Sequence, residues 1–394
     1  MGLLSGDLWY NEANEGGVVM TKFLQDLVIR HDLHDINLVV FRHGSIVVEE
    51  TLTHPDVTKP MAKDNLYRVA SISKLVVAIA VMRQVEQGTL CLDDDISDRV
   101  GFLVRHTGAP DVAITVRMLL THTSGLQDTN TLGVPPGESL SELFLPTGRY
   151  HDDAMYRADG PGVSYHYYNT GFSLLATMVE RLTKRRFDQY VQETILRPLG
   201  MHGGFDPVED DIRHLIHPLY RKEQGHWVAQ VDDPPRRIVL EDHPIGINAS
   251  VHAPQGGLRS NARELAKLMS FWMSGDDRIL RKATLAEMNR IHVAHPATTL
   301  VSGDFFRHNG LGVNVIERSF VNRPIPDMDY DLVGHSGIAY GLLGIWFLDP
   351  VNQNGVIFLS TGHGKPLSSY AGRHSQYFSL WEDVFQMADA IWRT

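Results

Sequence analysis

The sequence predicts an α/β fold in which one sheet is assembled from both ends of the chain and a mostly helical subdomain is inserted between them. Runs rich in β-branched and aromatic residues occur at 36–50 and again at 331–360, while helical periodicity dominates the stretch between. The chain has 394 residues, 43% of them hydrophobic, enough to fill the core of a two-part molecule. Residues 1–100 and 250–394 are assigned to a discontinuous α/β subdomain and 101–249 to the helical one, with a cleft between them.

Taken in order, Val18, Val19, Phe23, Leu24, Leu27 and Val28 recur at helical spacing and predict a helix over 18–30. Residues 36–41 and 46–50 read as strands of a hairpin turned by Arg42-His43-Gly44-Ser45, and 51–63, with Pro55 and Pro60, as loop. Ser71 opens a helix to about Gln87, stopped by Gly88. Thr115 opens another over Val116, Met118, Leu119 and Leu120 that ends in the turn Thr123-Ser124-Gly125. The stretch 127–161 carries Pro135-Pro136-Gly137, Pro146 and Gly148 with little periodicity, and is expected to be irregular. Helices return at 170–184, 188–196 and 261–274, the second closed by Pro198 and Gly200. Strands follow at 331–335, 342–348 and 356–360, divided by Gly337 and by Asp349-Pro350-Val351-Asn352. A last helix over 377–392 gathers Phe378, Trp381, Val384, Phe385 and Ala388 on one face, which reads as core packed on the sheet.

Charge and cysteine content exclude several functions. With 36 Lys+Arg against 47 Asp+Glu the net charge is −11, a field that repels phosphate backbones, so no nucleic-acid partner is expected. Cys91 is the single cysteine, which rules out an intramolecular disulfide and a four-cysteine zinc site. The first seven residues lack a basic start and an apolar stretch, and Gly6 breaks the myristoylation pattern. The best apolar run, 75–82, is far too short to span a bilayer. The expectation is a soluble cytoplasmic protein with no membrane partner; the oligomeric state is not legible.

The sharpest local feature is Ser71-Ile72-Ser73-Lys74 at the head of an apolar helix. Residues three apart share a helix face, so Lys74 reaches the hydroxyl of Ser71. A serine hydroxyl is a poor nucleophile until a base takes its proton, and a lysine kept partly neutral by burial can be that base. The competing reading is a capping serine beside a solvated lysine. Downstream, Tyr165-His166-Tyr167-Tyr168-Asn169-Thr170-Gly171 enters a helix, where a tyrosine and an asparagine two residues apart can present a phenol and an amide to one cleft; the alternative is a capping Asn169 or Thr170 with packed aromatic rings. Gly334-His335-Ser336-Gly337-Ile338 lies on a late strand, and its plain alternative is an ordinary strand end.

In this order and setting, Ser-x-x-Lys, Tyr-x-Asn and His-x-Gly resemble the serine β-lactamase and penicillin-binding-protein family, most closely the class C branch with its related esterases and D-amino-acid peptidases. Tyr67-Arg68-Val69-Ala70 and the segments 90–96, 114–126, 168–175, 196–201 and 254–260 are similar as well, so the resemblance runs from about residue 35 to 360. It implies a transpeptidase-like antiparallel sheet flanked by helices. It also implies Ser71 as the acylated nucleophile, Lys74 as its proton partner, Tyr167 as general base and Asn169 as a ligand of a substrate amide. His335, Ser336 and Gly337 would line the substrate strand, and the backbone N–H groups of Ser71 and Ile338 would form the oxyanion hole. The implied activity is a serine hydrolase that forms an acyl-enzyme on small esters, amides or peptides without metal or organic cofactor. A β-lactamase or D,D-peptidase, an acyltransferase and a non-catalytic binding protein are the alternatives. His335 departs from the family by standing where many relatives carry the lysine of Lys-Thr-Gly. With an ordinary imidazole pKa of about 6.5, it would favour carboxylate-bearing substrates only as pH falls toward about 6. The stretch 127–161 matches nothing in the family and is expected to reshape the cleft.

Other constellations are weaker. Among the 20 histidines, the pairs His31/His34, His214/His217 and His292/His295 show His-x-x-His without the glutamate of a zinc helix, so no metal is expected. Gly334-His335-Ser336-Gly337-Ile338 is not a Gly-x-Ser-x-Gly elbow, because Ile338 stands where glycine is needed. Gly362-His363-Gly364-Lys365 lacks phosphate-loop spacing, and Asp93-Asp94-Asp95 reads as a solvated turn.

Overall fold

The computed structural model of the chain describes residues 15–206, 212–235, 240, 243–294, 308–321 and 323–394. Residues 1–7 and His295, on which expectations were placed, lie outside them. Helix α1 (Glu15–His31) leads into the hairpin of β1 (Asp35–Arg42) and β2 (Ser45–Thr53). Then come β3 (Tyr67–Arg68), α2 (Ser73–Glu86), α3 (Ile96–Val100), α4 (Val116–Leu120), α5 (Asn169–Thr183) and α6 (Phe187–Val191). A second hairpin, β4 (Leu219–Glu223) and β5 (His226–Val231), precedes β6 (Arg259–Ser260), α7 (Ala262–Ser274) and α8 (Lys282–Asn289). The chain closes with β7 (Val293–Ala294), β8 (His308–Asn309), β9 (Asn314–Ile316), β10 (Leu332–Ala339), β11 (Leu342–Asp349), β12 (Asn354–Ser360), β13 (Gly362–His363) and α9 (Ser379–Trp392).

The main sheet is antiparallel throughout, in the order β2-β1-β12-β11-β10-β9-β8-β7, so strands from the two ends of the chain do meet, at β1 and β12. The two-residue period of a strand sorts its side chains into two cores. Leu38 and Val40 of β1, Ile345 and Phe347 of β11, and Val356 and Phe358 of β12 pack with Leu24 and Leu27 of α1 and Trp381 and Phe385 of α9. Their neighbours Val39, Phe41, Trp346, Leu348, Ile357 and Leu359 face the other way, into the core that holds α2, α5 and α7. There the Trp346 indole donates to Leu265 O at 3.1 Å. Residues 75–82 are buried on every side, which identifies the apolar run as a core helix. Among the described residues no helix is long and apolar enough to cross a membrane.

Two helix starts follow the capping chemistry of the sequence: Thr115 accepts from Met118 N at 3.2 Å and Asn261 from Glu264 N at 2.9 Å. Other expectations need correction. Gly337 does not end its strand; β10 continues to Ala339 and turns at Tyr340-Gly341, both at positive φ. The missing side chain at 337 serves close packing instead, since a Cβ there would stand 2.6 Å from the carbonyl oxygen of Val69. The helix expected over 188–196 begins at Phe187 and passes into a π-helical turn at Gln192–Leu196. Residues 101–249, expected to be mostly helical, also contain the β4–β5 hairpin. Its strands Leu-Tyr-Arg-Lys-Glu and His-Trp-Val-Ala-Gln-Val pair with each other, and β4 is held by pairing with β13 and by the Tyr220 ring stacked 4.0 Å from that of His34. These contacts join residues far apart in the chain and leave no local pattern.

Candidate active site

Ser71 lies in a single 3-10 turn, Ala70–Ile72, between β3 and α2, one turn earlier than the regular helix. Ala70 is held at φ +48°, the left-handed region that L-residues avoid. The Ser73 hydroxyl braces this turn, donating to Ala70 O at 2.6 Å and accepting from Leu258 N at 3.1 Å. Ser73 is therefore a buried cross-link, and its neighbour Ser71 keeps partly exposed surface.

Lys74 is fully buried, and its Nζ meets three oxygens: Ser71 Oγ at 2.9 Å, Asn169 Oδ1 at 2.8 Å and Gln255 O at 2.7 Å. Burial pulls its pKa down to about 7, against the Asp128 carboxylate, which acts to raise it. The Tyr167 hydroxyl donates to the same Ser71 Oγ at 2.8 Å, and Lys74 Nζ stands 4.9 Å from the Tyr167 ring centre. Ser71, Lys74, Tyr167 and Asn169, separated by up to 98 positions in the chain, are thus brought into one hydrogen-bonded group.

His335 approaches this group from β10, its ring 6.3 Å from that of Tyr167. Its Nδ1 lies 2.7 Å from Ser336 O, and since a carbonyl only accepts, Nδ1 carries the proton. Burial, with help from Lys74, displaces its pKa to about 3. The ordinary imidazole value near 6.5 does not apply: His335 is neutral throughout the neutral range. Ser336, Gly337 and Ile338 pair with Ile345, Gly344 and Leu343 of β11, whereas pairing with β9 covers only Leu332–Gly334. Beyond Gly334 the other side of β10 faces the Ser71 turn, and Gly337 is where the two backbones touch.

Three contributors were not singled out from sequence. Gln255 supplies a carbonyl to Lys74 from inside the 254–260 segment. His122, within 114–126, is buried with its ring 4.5 Å from that of Tyr167 and its Nδ1 accepting from Tyr168 N at 3.0 Å; burial, Lys74 and His335 all lower its pKa. Asp128 comes from the irregular stretch. It accepts from Asn169 N (3.0 Å), Asn169 Nδ2 (2.7 Å), Thr170 N (3.0 Å) and Thr170 Oγ1 (3.2 Å). Tyr168, at the cap position of α5, offers no side-chain cap, so Asp128 closes that helix end from a distance. A lone aspartate in a stretch without periodicity gives no sequence signal for such a role.

Four histidines of these pairs have other partners: His31 binds Asp383, His34 Asp35, His217 Pro218 O and His292 Glu287 O. Among the described residues no three His, Cys, Asp or Glu side chains gather as a metal-ligating group.

An antiparallel sheet flanked by helices, with Ser-x-x-Lys heading a buried helix beside a Tyr-x-Asn loop, defines a class, and comparison agrees with it. The chain belongs to the Beta-lactamase family, whose model matches residues 20–375. It is similar to Protein flp of Staphylococcus aureus (strain N315), 24% identical over 197 residues, which cover 48% of this chain and 39% of that protein. It is also similar to Esterase EstB of Burkholderia gladioli, 30% identical over 186 residues, 44% of this chain and 47% of that protein. The matches thus span less than half the length of these curated relatives. The fold resembles that of D-amino acid amidase from Ochrobactrum anthropi SV3, with a TM-score of 0.69 and 21% identity over 95% of this chain and 98% of that one.

Proposed function

We propose that this chain is a serine hydrolase that acts through an acyl-enzyme on small esters or amides that carry no carboxylate, amino-acid amides among them. The observation that carries this reading is the convergence of Lys74 Nζ, at 2.9 Å, and Tyr167 OH, at 2.8 Å, on the single hydroxyl oxygen of Ser71. A neutral lysine has two N–H bonds and one lone pair. The carbonyl oxygens of Asn169 and Gln255 can take the two hydrogens, which leaves the lone pair for the Ser71 proton. With its pKa near 7, Lys74 populates this form in quantity at neutral pH.

Ser71 Oγ attacks the substrate carbonyl carbon as its proton passes to Lys74. The backbone N–H groups of Ser71 and Ile338 receive the resulting oxyanion. Collapse breaks the bond to the alcohol or amine, which leaves with the Tyr167 proton, and Lys74 restores that proton to Tyr167. Water then retraces the path, with Lys74 and Tyr167 acting together as the general base, and releases the acid. The second N–H and second lone pair of the Asn169 amide are what a substrate amide would meet. Ser336 and Gly337 form the strand beside it. A neutral His335 offers a substrate carboxylate no charge, which favours esters and amides over β-lactams. The names of EstB and the D-amino acid amidase point to the same two bond types.

The test is a panel of p-nitrophenyl esters, D- and L-amino-acid p-nitroanilides and nitrocefin, assayed on the full chain at about pH 8. Turnover of esters or anilides with little on nitrocefin is expected. Nitrocefin as the best substrate, or no turnover of any of them, overturns the reading.

A further inference from the structure

We propose that Asp128 is a positioning residue that fixes the orientation of the Asn169 amide and thereby holds Lys74 against Ser71. The inference rests on the hydrolase reading above but concerns a group that touches neither Ser71 nor a substrate. An asparagine amide has a donor end and an acceptor end of nearly equal shape, and only its surroundings decide which way it points. Here Nδ2 donates to Asp128 Oδ2 at 2.7 Å, and Oδ1 accepts from Lys74 Nζ at 2.8 Å. Turned over, the amide would set its N–H groups against the lysine and its oxygen against the carboxylate, with both contacts repulsive. A carboxylate, which only accepts, therefore selects the one orientation that gives Lys74 an oxygen.

The other carboxylate oxygen is tied to the first turn of α5 through Thr170 N and Thr170 Oγ1, so Asp128 cannot swing away without uncapping that helix. Tyr167 lies two residues before Asn169, and the same carboxylate accepts from Asn169 N at 3.0 Å. One side chain from the irregular stretch thus ties down the Asn169 backbone and side chain together. Lys74 faces Asp128 from that stretch, His122 from beyond α4, His335 from β10 and Tyr167 from the approach to α5. Burial keeps both imidazoles neutral at neutral pH, which leaves Asp128 as the opposing charge.

Two readouts on the 394-residue chain test this. One is the titration of Lys74, followed by NMR with lysine-selective 13C labelling; the other is the pH dependence of Ser71 labelling by a fluorophosphonate. Asp128→Asn should lower the Lys74 midpoint by about one unit or more, as expected for loss of a nearby opposite charge. It should also slow labelling at least tenfold on the high-pH plateau, because the amide is no longer held. A slower reaction although more of the base is neutral is the signature of lost positioning. Asp128→Ser, which keeps a capping oxygen but not the charge, guards against failure to fold and should behave alike. Thr170→Val removes one bond to Asp128 and should lower thermal stability while leaving midpoint and labelling rate within about twofold. An unchanged midpoint and rate in both Asp128 variants would overturn the inference, as would Thr170→Val reproducing their effect, which would make Asp128 a helix cap and nothing more. If Ser71 is never labelled while the Lys74 midpoint moves as stated, the hydrolase reading falls and the role of Asp128 in placing Lys74 stands.

Discussion

The hydroxyl oxygen of Ser71 and the amine nitrogen of Lys74 are 2.9 Å apart, and the lysine has no exposed surface. Burying a lysine is expensive unless it sheds its proton or finds partners. Lys74 has three oxygen partners and a pKa near 7 instead of the usual 10.5, so the fold gives up stability to keep it there.

That sacrifice has a sign that can be measured. Between about pH 7 and pH 10.5 the unfolded chain holds a proton on Lys74 that the folded chain has released, so folding stability rises with pH across this window. Below pH 7 the full cost is present. Lys74→Met removes the titration, and its unpaired carbonyls at Asn169 and Gln255 add a cost that does not vary with pH. Thermal unfolding of both proteins should show the variant comparing best with wild type near pH 7 and losing a few kcal/mol of that comparison by pH 10. A difference that stays constant across the range would mean that Lys74 keeps its ordinary pKa.

Tyr167→Phe should lower turnover by roughly 100-fold or more, as expected for loss of a proton-transfer group. Tyr165→Phe and Tyr168→Phe should be mild by comparison, since the Tyr165 ring packs on His122 and the Tyr168 ring lies in the core. Steady-state kinetics on one ester substrate separates them. A crippled Tyr165→Phe with a normal Tyr167→Phe would contradict the arrangement.

The pH dependence of kcat/KM should have an acid limb near pH 7, where Lys74 loses its proton, and no limb from His335, whose pKa is about 3. The ratio of kcat/KM for a carboxylate-bearing substrate to that for its neutral isostere should accordingly stay constant between about pH 6 and pH 8. A ratio that climbs toward low pH would restore a titrating His335 beside the substrate carboxylate.

Much of this was legible in the sequence because it is local. The one-turn spacing of Ser71 and Lys74, the apolar run at 75–82 and the helix starts at Thr115 and Asn261 each depend on a few neighbouring residues. The depressed pKa of His335 was not legible, because it follows from burial produced by packing β10 against the Ser71 turn. Gly337 looked like a strand breaker because glycine usually is one; its use as a close-approach point depends on Val69, 268 positions away. Asp128 and the β4–β5 hairpin were missed for the same reason: their partners are distant in the chain.

Gly337→Ala tests that close approach. Its Cβ would stand 2.6 Å from Val69 O and 3.5 Å from the Ala70 side chain, so β10 or the Ser71 turn has to shift. A fall in kcat/KM of about 100-fold and a stability loss of about 1–3 kcal/mol are expected. Gly88→Ala serves as the comparison: no atom lies within 4 Å of its Cβ, but φ is +72°. It should cost about 1–2 kcal/mol through backbone strain and leave kcat/KM intact. Equal kinetics for the two variants would contradict the role of Gly337.

The most direct measurement is the mass-spectrometric location of the adduct formed when the intact chain reacts with a fluorophosphonate. One adduct on Ser71 is predicted. Ser71→Ala should abolish it, while Ser73→Ala, which loses the brace to Ala70 O and Leu258 N, should lower stability and still be labelled at Ser71, as should Ser336→Ala. An adduct on Ser336 or any other serine, or undiminished labelling of Ser71→Ala, would contradict the assignment of Ser71 as the nucleophile.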